Sequence, residues 1–249
     1  MFPVVKKAML WGLSLTQGHS PLFPFLVLPK STYVNLRLTD SQVKFLADYI
    51  HQYTTQFVPT PLSLTAESPA HYLSVNIYNC TGPLFLNRPI TRCEINTYVR
   101  HTETGEIGTM ILDYSSNGIS MDPVDGFRWP TPGTRFWENA GSSIEAAAKD
   151  EAGNMDFCIK YDPSFQGEGN GRLTNDIIRF TDTIYYKNGR YDKLFYDSSL
   201  VQAEIVRVEN WQEGFRFQYK GMDFGVNQVE EVFYFRNPIS FICHVDKEV

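Results

Sequence analysis

Hydrophobic and polar positions change period early in this chain, from two to helical spacing and back to two. Between Tyr33 and Leu38 the residues alternate, with Val34, Leu36 and Leu38 on one side and Tyr33, Asn35 and Arg37 on the other. That is the period of a strand. Thr39-Asp40-Ser41-Gln42 then has the form of a capping box, in which side chains satisfy the free amides of a helix start. Val43, Leu46, Ile50, Tyr53 and Phe57 follow at helical spacing, which predicts a long helix with one packed face, stopped by Pro59 and Pro61.

Period two then returns. Tyr72 to Tyr78 alternates through Leu73, Val75 and Ile77. Arg92 to His101 does so more sharply, with Cys93, Ile95, Thr97 and Val99 on one face and Arg92, Glu94, Asn96, Tyr98 and Arg100 on the other. Thr104-Gly105-Glu106 predicts a turn and Gly108 to Tyr114 the returning strand. Ser115 to Gly141, rich in Gly, Pro, Asn and Trp, reads as one long loop, and Ser143 to Glu151 as a short helix. Strands are expected at Met155 to Tyr161, at Ile177 to Tyr186 and Tyr191 to Tyr196 around an Asn188-Gly189 turn, and at Leu200 to Val208, Phe215 to Tyr219, Val229 to Phe235 and Ile239 to Val245. The pattern predicts an α+β, mostly β fold: an antiparallel closed or half-closed barrel with one long N-terminal helix. No linker or repeat interrupts residues 1–249, so a single domain is expected.

Composition narrows the function classes. A formal charge of −6 lacks the basic footprint that nucleic acid or an anionic membrane requires. No apolar run approaches the roughly 18 residues of a membrane span, so membrane insertion is not expected. Lys6-Lys7 followed by Ala8 to Leu15 mimics a signal peptide, but Trp11, Gly12 and Ser14 interrupt the apolar run. Cys80, Cys93, Cys158 and Cys243 form no CxxC pair and sit in strand-like runs, as buried thiols of a reducing, cytoplasmic setting would. Asn79-Cys80-Thr81 fits the glycosylation pattern, a common chance triplet. The five histidines include no HxH or HExxH pair, and Gly167-Glu-Gly-Asn-Gly171 is no phosphate cradle. No metal and no cofactor are expected.

The segments Tyr33-Val-Asn-Leu-Arg37-Leu-Thr-Asp40, His71-Tyr-Leu-Ser-Val-Asn-Ile-Tyr78, Arg92-Cys-Glu94-Ile-Asn-Thr-Tyr98-Val-Arg100 and Gly105-Glu-Ile-Gly-Thr-Met-Ile-Leu-Asp113 together resemble the acetoacetate-decarboxylase-like superfamily over roughly residues 30 to 130. The resemblance implies a conical β-barrel with an apolar cavity, often in a homo-oligomer. It also implies a lysine after the hairpin that forms a Schiff base with a β-keto acid, its pKa lowered by burial and a cationic neighbour. Here the sequence departs from the pattern. Ser116 to Pro130 contains no lysine, nor does any position between Lys44 and Lys149, leaving Lys160 as a remote substitute.

Acid–base chemistry without an imine is the expectation that remains. Glu94, flanked by Arg92 and Asn96 and near the family's glutamate by resemblance, is the candidate general base if its face lines a cavity. If that face meets solvent, the same residues make cross-strand ion pairs. Arg37 could bind a carboxylate through its planar fork, Tyr98 could donate to a carbonyl oxygen, and Asp113 could be a second acid. Arg92, Asp122, Arg128 and Trp129 are candidate substrate contacts, Trp129 being otherwise a buried pin for its loop. The leading expectation is a cyclase, isomerase or lyase acting on a small, largely apolar carbonyl compound. A carrier of a lipid, terpenoid or pigment is the first alternative, and a structural module with exposed strand edges the second.

Overall fold

The order that periodicity predicts, strand then capped helix then strands, is the order found in a computed structural model of the chain. It describes residues 23–27, 31–63, 69–81, 89–122, 126–131, 138–140, 143–149, 155–161, 182–187, 190–198, 205–208, 216–225, 228–235 and 239–246. β1 (Phe23–Val27), β2 (Thr32–Arg37), α1 (Asp40–His51) and β3 (Phe57–Pro59) come first, then β4 (Tyr72–Thr81), β5 (Ile90–His101) and β6 (Ile107–Ser116). β7 (Ser120–Asp122), β8 (Gly126–Arg128), β9 (Glu138–Ala140), β10 (Ser143–Lys149) and β11 (Met155–Tyr161) follow. β12 (Asp182–Lys187), β13 (Arg190–Ser198), β14 (Ile205–Arg207), β15 (Arg216–Tyr219), β16 (Met222–Phe224), β17 (Val229–Phe235) and β18 (Ile239–Asp246) complete the order.

The capping box is present: Gln42 N donates to Thr39 Oγ1 at 3.4 Å and Thr39 N to Gln42 Oε1 at 2.9 Å. Leu46 and Ile50 turn the helix's apolar side onto Phe57, Val99 and Met110. The helix stops at His51, six residues before Phe57, so the prolines do not end it. Thr54 and Thr55 are β-branched and poor helix formers. Just beyond them, Gln56 O accepts from Thr102 N at 2.7 Å and draws the chain into β3 beside β5. Phe57 is therefore buried from a strand, and Tyr53 is exposed.

Two further expectations are corrected. Ser143 to Lys149 is a strand, paired on one side with β9 and on the other with β11. Its alanines favour a helix, but a ladder on both edges overrides that preference. The stretch expected as one long loop contains the β7–β8 hairpin and β9. A strand that periodicity missed, β16, returns from β15 through Lys220 and Gly221, whose φ of 48° and 79° make the turn a two-residue hairpin. The Asn188-Gly189 signal is matched by β12 and β13, paired out to Lys187 opposite Arg190.

The large sheet runs β14-β17-β2-β4-β1-β18-β13-β12-β6-β5-β3, eleven strands, and β5 also pairs with β4. A second sheet of five has the order β16-β15-β11-β10-β9. Among the described pairings only β12 beside β6 is parallel. One face of the large sheet, with Val34, Leu36, Val75, Ile77 and Ile95, packs on Phe157, Ile159, Phe217 and Phe224 of the second. Each such large side chain contributes roughly 1.5–3 kcal/mol by leaving water. Among the described residues no helix is long and apolar enough to cross a membrane.

The cap sets where the helix starts and hence how Leu46 and Ile50 meet β5. Thr39→Ala should destabilise the protein by about 1 kcal/mol, read as a lower urea midpoint at unchanged slope. An unchanged midpoint would show that tertiary packing alone fixes the helix start.

Candidate active site

The other face of the same strands is buried too, and it is polar. Side chains alternate across a strand, so Tyr33 and Asn35 of β2 share this face with Ser74, Asn76 and Tyr78 of β4 and with Arg92, Glu94, Asn96 and Tyr98 of β5. Strand register arranges them in rows. Tyr78 stands opposite Arg92, and Arg92 opposite Ser116. Asn76 stands opposite both Tyr33 and Glu94. Glu231 of β17 lies beside Asn35, which lies beside Ser74, which lies beside Asn96.

Glu94 is the centre of one group. Arg92 Nη2 lies 3.0 Å from Glu94 Oε1, and Tyr78 OH donates to the same oxygen at 2.5 Å. Their side chains are 10% and 11% exposed for Arg92 and Glu94, so the pair is largely out of water. The Arg92 guanidinium lies 5.8 Å from the centre of the Tyr78 ring, and Tyr33 meets that ring edge-on at 6.2 Å. Burial, with Glu94 adding to it, pushes both phenols above their ordinary range, so they are proton donors at neutral pH. Cys80, buried beside them, is pushed up to about 12 by burial and stays an unreactive thiol.

A second group continues the face. Asn35 Nδ2 donates to Glu231 Oε2 at 3.2 Å and Ser74 Oγ to Asn76 Oδ1 at 2.8 Å. Burial raises the pKa of the Tyr98 phenol, Glu231 adding to the rise and Ser74 and Asn35 opposing it. Glu231 reaches this face through a bulge: Val229 pairs with Leu36 and Glu231 with Asn35, leaving Glu230 as the extra residue. Glu230 Oε1 accepts from Tyr72 OH at 3.0 Å, and its other oxygen lies 3.8 Å from Arg37.

No family model matches the chain, and no curated protein matches its sequence. Solved structures do. The acetoacetate decarboxylase of Legionella pneumophila subsp. pneumophila str. Philadelphia 1 superposes with a TM-score of 0.52, over 91% of this chain and 88% of that one, at 10% identity. The fold is that of acetoacetate decarboxylase. The enduracididine biosynthesis enzyme MppR with HEPES buffer bound gives 0.49 over 90% of this chain and 86% of that one, at 8% identity. MppR complexed with the condensation product of pyruvate and imidazole 4-carboxaldehyde gives 0.48 over 91% and 87%, also at 8% identity.

On this acetoacetate-decarboxylase fold the residues singled out by sequence separate. Arg92 and Glu94 come together. Tyr98 shares their face but stands four residues along β5, roughly 13 Å from Glu94 at strand spacing. Arg37 is opposite Tyr72, two rows past Glu94's, and its side chain is 43% exposed against Glu230. Asp113 is on the opposite face, opposite Ile95, where it adds to the rise that burial imposes on the Cys93 thiol and the Tyr219 phenol. Trp129 is 68% exposed, so it is no buried pin for its loop. Two residues on, Thr131 N donates to Ser116 O at 2.9 Å. The side chains of Asp122 and Arg128 lie outside the described part, as do Pro163 to Gly171. Asn79 is half-buried in β4 with its Oδ1 accepting from Thr91 Oγ1 at 2.6 Å, a poor glycosylation acceptor.

Sequence reasoning missed Tyr33, Tyr78, Asn35 and Glu231. The adjacent Glu230 and Glu231 in an otherwise apolar strand were the available signal, since one of two neighbours must face inward.

Removing one partner of a buried ion pair leaves an uncompensated charge. Arg92→Leu should therefore cost about 3–5 kcal/mol in denaturant unfolding, and the Arg92→Leu/Glu94→Leu double variant should regain most of it. Equal stability of wild type and Arg92→Leu would mean that water reaches the pair.

Proposed function

We propose that the chain is a small-molecule enzyme that shifts a proton on a carbonyl compound, with Glu94 as the base. The observation that carries this reading is the buried group of Glu94, Arg92 and Tyr78. Both contacts fall on Oε1, so Oε2, without a partner among the described residues, is the oxygen that takes the proton. The C–H bond beside the substrate carbonyl breaks, the proton goes to Oε2, and the electron pair moves onto the carbonyl oxygen. The Arg92 guanidinium, held beside Glu94, supplies the positive charge that stabilises that oxyanion. Tyr78 has a single O–H, which holds Glu94 in place. Return of the proton to another carbon gives isomerisation, and loss of a group from the next carbon gives elimination.

The fold shared with acetoacetate decarboxylase and the run of pairings support a closed barrel around this face. Pairing passes from β4 through β1, β18, β13, β12, β6 and β5, and β5 returns to β4. The described part of the face is polar, which favours a polar carbonyl compound over an apolar one and offers a terpenoid or pigment little to bind. The absence of lysine between Lys44 and Lys149 argues against an imine at the hairpin.

Exchange of α-protons for deuterium in small keto acids, followed by NMR, tests the base. Glu94→Gln should lose about 10²–10⁴-fold in exchange rate with its thermal melt preserved. Full activity in that variant would sink the proposal. Borohydride added with acetoacetate or pyruvate should leave the intact mass of the protein unchanged, whereas a trapped adduct would establish an imine and overturn the lysine-free reading.

A further inference from the structure

The buried polar face has two ends of opposite hydrogen-bonding character. At the Arg92 end stand donors. Two alternation steps along β5, roughly 13 Å away at strand spacing, stand buried amide oxygens and a carboxylate. Asn35 and Asn96 are each 3% exposed, and Glu231 is 0% exposed. The Asn35 amide has a fixed sense: its Nδ2 donates to Glu231 Oε2 at 3.2 Å, so its Oδ1 is turned away from that carboxylate. Neither Asn35 Oδ1 nor Asn96 Oδ1 finds a donor among the described residues. Buried amide oxygens are almost always hydrogen-bonded, so a donor belongs there.

We propose that Asn35, Asn96 and Glu231 form a subsite for an N–H donor group, an ammonium, on the same substrate whose carbonyl or carboxylate meets Arg92. An ammonium has three N–H bonds and accepts none, which matches two amide oxygens that lack a donor among the described residues. Glu231 adds a carboxylate to which that charge is complementary. The ligand is then bifunctional: an acceptor group at one end, an amine at the other, and the scissile C–H near Glu94 between them. The Arg92 end of this assignment rests on the proposed function, but the amine end rests on the asparagines alone.

Calorimetric titration with matched pairs tests it: butanoate, pentanoate and hexanoate against 4-aminobutanoate, 5-aminopentanoate and 6-aminohexanoate. At least one amino acid should bind wild-type protein about 10-fold or more tighter than the alkanoate of its length. Asn96→Leu should abolish that preference, while Asn96→Asp, which keeps an acceptor, should retain it, folding of each being checked by its melt. No binding, equal binding within every pair, or a preference that survives in Asn96→Leu would overturn the subsite. The same titration on Glu94→Gln separates the two proposals. A preference retained there stands whatever the exchange assay finds, and a missing preference alongside lost exchange would remove the subsite and leave the base.

Discussion

An arginine and a glutamate two residues apart on a strand with no watery side constrain everything around them. From Ile90 to Val99 β5 is buried on both faces, and the even-numbered side chains of that stretch include two full charges, Arg92 and Glu94. Taking either charge out of water alone costs several kcal/mol, so each needs the other and needs hydrogen bonds besides. Oε1 of Glu94 takes both, from Arg92 and from Tyr78, and Tyr78 is available because β4 runs in register alongside. The apolar face can tolerate exchange of one large side chain for another of similar volume. The polar face has no such latitude, because Glu94, Arg92 and Tyr78, like Asn35 and Glu231, are held through one another's polar contacts.

Much of this organisation was legible in the alternation of β2, β4 and β5 and in the Thr39 cap. What the alternation could not say is which face looks inward. Arg, Glu, Asn and Tyr at every second position describe a solvated face and a buried polar one equally well, and only the strands laid over them decide. The ends of elements were less legible still. Nothing in Ser-Ile-Glu-Ala-Ala-Ala-Lys distinguishes a short helix from a strand until β9 and β11 supply hydrogen bonds on both edges.

Asp113 shows how small a feature misleads. Counted back from the Thr104-Gly105 turn in an unbroken hairpin, Asp113 falls opposite Glu94 on the same face. The register instead jumps between Ile95 and Asn96, so that Leu112 is the extra residue, Asp113 faces Ile95 and Tyr114 faces Glu94. A one-residue slip exchanges faces, because the side-chain period is two. The bulge in β17 acts in the opposite sense, carrying Glu231 inward beside Asn35 while Val229 and Val232 both keep the apolar side. Two bulges therefore decide which carboxylates the polar face contains, and neither has a glycine to announce it.

The missing lysine fits the same electrostatics. An amine becomes nucleophilic at neutral pH when burial and an uncompensated cation nearby lower its pKa. Here the cation beside Glu94, Arg92, is compensated by it at 3.0 Å, and the phenols around the pair stay protonated. A lysine introduced beside them would meet a nearly neutral pair, with only its own burial to lower its pKa. The carboxylate, in contrast, gains from the arrangement. One of its oxygens is anchored by two donors, and the other keeps a fixed direction without a partner among the described residues, which is what a positioned base requires.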